Sequence, residues 1–109
     1  MKARILTVDD EPLNLATIES FLDDDGYELR FASGGREALE EARRWLPDLI
    51  LLDVMMPELD GFEVCRQIRA DAVLKTIPII MVTALDDEKS RLEGLRCGAD
   101  DFLTKPCRR

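Results

Sequence analysis

Leu49-Ile50-Leu51-Leu52-Asp53 is four apolar residues in a row that stop at a carboxylate. A strand with water on one face alternates apolar and polar residues. A continuous apolar run bounded by polar ones fits a strand covered on both faces, as in a parallel sheet. The same phrase recurs in both directions along the chain. Ile5-Leu6-Thr7-Val8 ends in Asp9-Asp10, Ile77-Pro78-Ile79-Ile80-Met81-Val82 ends at Thr83, and Phe102-Leu103-Thr104 ends at Lys105. A weaker run, Tyr27 to Ala32, ends at Ser33-Gly34-Gly35.

Stretches of helical period separate these runs. Leu13, Thr17, Ile18, Phe21 and Leu22 share one stripe, and so do Ala38, Leu39, Ala42 and Leu46. Phe62, Cys65 and Ile68 form a third stripe, Leu92 and Leu95 a fourth. Strand-helix alternation repeated this often implies right-handed crossovers and predicts an α/β fold, a doubly wound five-stranded parallel sheet. Gly26, Pro47-Asp48 and Gly98 supply turns after the first, second and fourth helices, Gly98 as a helix C-cap. Four helices serve five strands, and the chain stops at Cys107-Arg108-Arg109. The expectation is a single domain over residues 1–109, cut before or within a fifth helix, either because the gene continues or because the chain is a shortened piece. One sheet face would then have only the first helix as cover, which invites dimerisation through that face.

Composition narrows the function classes. Hydrophobic residues make up 46% and charged ones 35% of the 109, an ordinary globular balance with no linker or repeat. No apolar run approaches the roughly 20 residues of a spanning helix. Met1-Lys2-Ala3-Arg4 leads straight into a strand, with no secretory pattern, so a cytoplasmic domain is expected. Fifteen basic against twenty-three acidic residues give a net charge of -8, which repels phosphate backbones and argues against nucleic-acid binding. Cys65, Cys97 and Cys107 form no CxxC pair and have no His to complete a zinc site, so they read as packed or idle thiols.

In an open parallel sheet, ligands bind outside the carboxyl ends of the strands, near the point where strand order reverses. Asp9 and Asp10, Asp53, Thr83 and Lys105 all stand at such ends, so the fold gathers them at one edge however far apart they lie in the chain. Neighbouring carboxylates repel by roughly 1 to 4 kcal/mol per close pair, and a cation among them relieves this. A hard oxygen-only donor set favours Mg²⁺, which keeps waters and accepts phosphate oxygens. An Asp carboxylate can serve as a covalent nucleophile and form an aspartyl phosphate, with Lys105 neutralising the transferred group and Thr83 donating to it. Taken singly, Asp-Asp after a strand is more often a turn or helix N-cap, and a lone Thr or Lys at a strand end says almost nothing. Four strands each ending in a suitable residue are together improbable by chance.

Across nearly all its length, from Ile5-Leu6-Thr7-Val8-Asp9-Asp10 to Thr104-Lys105-Pro106, the chain resembles response-regulator receiver domains of two-component signalling. Leu51-Leu52-Asp53-Val54-Met55-Met56-Pro57-Glu58-Leu59-Asp60-Gly61 looks like the family's phosphorylation segment, and Gly98-Ala99-Asp100-Asp101-Phe102-Leu103-Thr104-Lys105-Pro106 like its closing segment. The resemblance implies a flavodoxin-like sheet order, 2-1-3-4-5. It also implies a phosphoryl group passed from a sensor histidine kinase or phosphotransfer protein to Asp53. Asp10, Asp53 and the Met55 carbonyl would hold Mg²⁺, with Asp9 acting largely through water. Lys105 would contact the phosphoryl group across a cis peptide to Pro106. Thr83 and Phe102 would form the switch pair, the ring turning inward, and the small Ala84 would leave room for the acyl phosphate. Phe102, often Tyr in the family, also reads as a plain core residue.

Met55 and Leu85 would flank the phosphoryl group and, being apolar, shield it from water. The signal would leave through the fourth helix and fifth strand to an output domain, C-terminal in a longer protein. The phrasing Asp53-Val54-Met55-Met56-Pro57 and Thr83-Ala84-Leu85-Asp86-Asp87 is most like receivers attached to diguanylate cyclases. Such a domain is a signalling module that catalyses its own phosphorylation rather than an enzyme proper. Two other readings use the same residues. One is a Mg²⁺-dependent aspartyl-phosphate phosphohydrolase, which would want an Asp where Met55 stands. The other is a degenerate receiver acting as a binding module, which would have lost an acidic residue or the Lys.

Overall fold

A computed structural model of the chain describes residues 3–10, 26–56, 58–83 and 88–104, the side chains of Thr83 and Thr104 excepted. The elements run β1 (Arg4–Val8), β2 (Glu28–Ala32), α1 (Gly35–Trp45), β3 (Leu49–Leu52), α2 (Gly61–Ala70), β4 (Ile79–Thr83), α3 (Glu88–Arg96) and β5 (Asp101–Thr104). The helix expected through Leu13 and Leu22, and the question of a fifth helix, lie outside the described residues.

All five strands are parallel, in the order β2-β1-β3-β4-β5 that the resemblance implied. The chain steps outward from β1 to β2 and then returns across it to β3, so the order reverses between β1 and β3. Residues in register across a parallel sheet point to one face. One such row joins Val8, Ala32, Leu52, Met81 and Phe102, and every member is buried. Against this face pack Ala38, Leu39 and Ala42 of α1 and Val64, Cys65 and Ile68 of α2, in one continuous core. Helix α3 lies on the same face, since Gly94 meets Phe102 and Met81. On the opposite face the row Thr7, Phe31, Leu51 and Ile80 is buried only at Thr7 and half-buried elsewhere.

Helix ends follow their local chemistry. At α1, both the Ser33 amide and its hydroxyl donate to Glu37 Oε1, at 3.0 Å each. At α2, the Asp60 side chain caps the Glu63 amide at 2.9 Å. Gly98 ends α3 with φ +102°, its N–H donating to Leu95 O and that of Ala99 to Gly94 O. That pair of bonds is a Schellman closure, and it bears out the C-cap expected there.

Two expected stripes are corrected. Leu46 is not on the buried face of α1: it sits just past the helix in a left-handed conformation (φ 54°, ψ 67°), 47% exposed. Its N–H still closes onto Ala42 O, and Pro47 bars any further turn. Leu92 and Leu95 are 49% and 55% exposed and face away from the sheet. The residue of α3 that meets the core is Gly94, which adds nothing to an apolar periodicity.

Candidate functional site

The parallel ladder continues one residue past the strands. The Asp9 amide donates to Ala32 O at 3.0 Å and the Asp53 amide to Val8 O at 2.9 Å. Each carboxylate-bearing residue is thus pinned by its own backbone, on the two strands that flank the reversal of order. Behind Asp53 the chain turns sharply, with the Met56 amide on Val54 O at 3.1 Å and the Gly61 amide on the same oxygen at 2.9 Å. A Cβ on Gly61 would collide with the Asp53 carbonyl oxygen and lie 2.8 Å from Val54 Cα. Only glycine lets the start of α2 press this closely on the backbone of Asp53.

Carboxylate oxygens of Asp9, Asp10 and Asp53 lie within 4.8 Å of one another. Asp9 and Asp53 are buried, 2% and 5% exposed, while the Asp10 carboxylate is open to solvent. Asp10, Val54, Met55, Met56 and Asp60 line an open depression of about 400 Å³ beside them. Met55 stands at its mouth, 58% exposed, whereas Met56 turns into the core. Asp60 is not among the residues the sequence points to. Its signal was the Asp60-x-x-Glu63 spacing of a helix N-cap, which is also its observed bond.

Of the other expected residues, Thr83 ends β4 with its backbone beside Thr104 of β5. Its side chain is outside the described set, and Ala84, Leu85, Lys105 and Pro106 lie outside it altogether. Phe102 is 4% exposed, its ring turned into the core with the Arg91 guanidinium carbon 5.6 Å from the ring centroid.

Three carboxylates this close, two of them taken out of water, repel by roughly 1 to 4 kcal/mol per pair. A divalent cation offsets that, and a donor set of carboxylate oxygens open to water on the Asp10 side suits Mg²⁺ and its retained waters. The residues present therefore fit such an ion, placed among Asp9, Asp10 and Asp53.

The chain matches the family model for the response regulator receiver domain over residues 5–109. It is 51% identical over 106 residues to the response regulator PleD of Caulobacter vibrioides, covering 97% of this chain and 23% of PleD. To the alkaline phosphatase synthesis transcriptional regulatory protein PhoP of Bacillus subtilis it is 47% identical, over 97% of this chain and 43% of PhoP. It thus spans less than half the length of these relatives. The Vibrio cholerae chemotaxis protein CheY4 superposes with a TM-score of 0.92 at 36% identity, over 99% of this chain and 90% of that structure. The buried carboxylates at the strand reversal, the sheet order and these matches agree: the chain belongs to the response regulator receiver domain family.

Proposed function

We propose that this chain takes a phosphoryl group onto Asp53 in a Mg²⁺-dependent reaction and relays the event to an output domain through α3 and β5. The observation that carries this reading is the trio Asp9, Asp10 and Asp53, pinned at the strand reversal with two members buried. In the transfer, the N–P bond of a phosphohistidine on a sensor kinase or phosphotransfer protein breaks as a bond forms between phosphorus and an Asp53 carboxylate oxygen. Asp10 and Asp53, with the Met55 carbonyl, would hold Mg²⁺, which would offset charge on the phosphoryl oxygens, and Asp9 would act through a bound water. Lys105 balances the charge of the phosphoryl group, Thr83 donates to it, Ala84 leaves it room, and Phe102 follows Thr83 as the inward-turned partner.

The relatives' greater length supports an output domain outside this segment, placed C-terminal to it. The phrasing around Asp53 and Thr83 favours one of diguanylate-cyclase type. No helix among the described residues is long and apolar enough to cross a membrane, and we place the domain in the cytoplasm, where its kinase partner would act. The phosphohydrolase reading is disfavoured by Met55, since an apolar side chain there cannot serve as the acid or base.

The test is phosphorylation by a small phosphodonor with Mg²⁺, read by intact mass. The wild type gains one phosphate and Asp53→Asn gains none. A gain in both proteins would remove Asp53 as the sole acceptor.

A further inference from the structure

Among the residues of α3, Gly94 alone is buried, and it lies directly over the Phe102 ring. A Cβ placed on it would stand 2.8 Å from Phe102 Cδ2, 3.2 Å from Cε2 and 3.3 Å from Met81 Sδ. The first of these is far inside carbon-carbon contact, where attraction is best at roughly 3.5–4.0 Å. A side chain at Gly94 and the ring in its present place therefore exclude each other. The ring has little room to yield: Met81 is its neighbour across β4 and β5, and Arg91 stands over it. Leu92 and Leu95, which would seat an ordinary amphipathic helix, are exposed instead. Helix α3 thus rests on the ring at its one residue without a side chain.

We propose that Gly94 is a positioning residue of the switch. The space it leaves vacant is the space the inward Phe102 ring fills, so ring position and the seating of α3 on the sheet change together. The proposal rests on the reading of Asp53, Phe102 and the α3–β5 route given above and adds the residue at which α3 meets the ring. With a methyl at this position, either the ring swings out or α3 lifts, and both disfavour the inward ring under a seated helix. That state is the one phosphorylation favours in the reading above; the coupling is reciprocal, so a phosphoryl mimic must bind the variant less tightly by the same factor.

The experiment uses the full chain with 4-fluorophenylalanine at its four Phe positions, Mg²⁺, and beryllofluoride as an unreactive phosphoryl mimic. The Phe102 fluorine resonance is assigned by its loss in Phe102→Leu. In Gly94→Ala we expect that resonance to be displaced while those of Phe31 and Phe62 stay in place, and beryllofluoride binding to weaken about fivefold or more, the lower end of ordinary coupling. Adding Gly94→Ala to Phe102→Leu should cost no further affinity, because the ring it collides with is gone. An unmoved resonance with unchanged binding overturns the proposal, and so does an affinity loss that persists in the Phe102→Leu background. Should Gly94→Ala alone not fold, restoration of folding by Phe102→Leu supports the exclusion, and continued unfolding overturns it. A wild type that binds no beryllofluoride would instead count against the Asp53 reading, since the displaced resonance is measured without it.

Discussion

Cys65 lies fully buried on the sheet-facing side of α2, its thiol donating to the Cys97 carbonyl at 3.3 Å, and burial pushes that thiol up to about 11 despite the nearby Arg69 charge. Cys97 is raised too, again by burial, although an Arg66 N–H donates to its sulfur at 3.1 Å. Neither thiol offers a thiolate at neutral pH, so the described cysteines pack rather than react, as their spacing suggests. A thiol raised above its unfolded value favours the fold fully below the unfolded pKa of 9.0 and loses that contribution as pH climbs towards about 11. We predict that the denaturant midpoint of the wild type falls over that window more steeply than that of Cys65→Ala; parallel curves would show that burial of this thiol is not coupled to folding. Met55 carries a different expectation. Its side chain stands exposed at the mouth of the carboxylate depression, and an apolar group there cannot orient an attacking water. A Met55→Asn variant should dephosphorylate several-fold faster, by roughly 1 kcal/mol of barrier. Equal lifetimes, or a wild-type lifetime of seconds, would remove the shielding role. The resemblance placed Met55 at the site in advance, but hydropathy could not, because the adjacent Met56 carries the same value and turns into the core.

Among the elements, α2 is fastened at its end by one side chain. Arg69 donates from Nε to Gly98 O at 2.8 Å, from Nη1 to Lys75 O and Ile77 O at 2.9 and 2.7 Å, and from Nη2 to Asp100 Oδ2 at 2.9 Å. Asp100 Oδ2 also accepts the Ile79 amide at 2.9 Å. One guanidinium thus ties the last turn of α2 to the entries of β4 and β5, and its planar fork has no lysine equivalent. We predict that Arg69→Lys lowers unfolding free energy by about 1–2 kcal/mol, since two of the four hydrogen bonds are part-buried and a single ammonium cannot replace the fork. A loss under about 0.5 kcal/mol would reduce the latch to an ordinary surface pair. The strands were legible because burial on two faces writes itself as unbroken apolar runs. The latch was not, because its acceptors are mostly backbone carbonyls, and any residue can supply those. Helix α3 was misread for a related reason: its buried contact is a glycine and its leucines face outward, so hydropathy pointed to the wrong side.

On the scale of the whole molecule, the topology does what no stretch of sequence can do alone. Asp9 and Asp10 stand more than forty residues from Asp53, yet the reversal between β1 and β3 brings their oxygens within 4.8 Å. That gathering was legible in advance, since each run ends in a polar residue and a parallel sheet puts all such ends on one edge. Its energetic sign follows from charge. The chain carries a net -8, and three of its carboxylates are confined to one site, so without a cation the fold opposes a local repulsion. Relieving it by substitution should stabilise: Asp53→Asn should melt higher than wild type in chelator, by up to a few degrees. Mg²⁺ should raise the wild-type Tm instead. At ten times its Kd a ligand of the native state adds about 1.4 kcal/mol, roughly 5 °C or more for a domain near 100 residues. The increment should shrink in both Asp53→Asn and Asp10→Asn, since each leaves the ion two carboxylates of the three. Sodium at matched ionic strength is the control, because general screening of an acidic protein would also raise Tm. If sodium does as well as Mg²⁺, or if Asp10→Asn keeps the full increment, the three carboxylates are an ordinary acidic edge and not a metal centre.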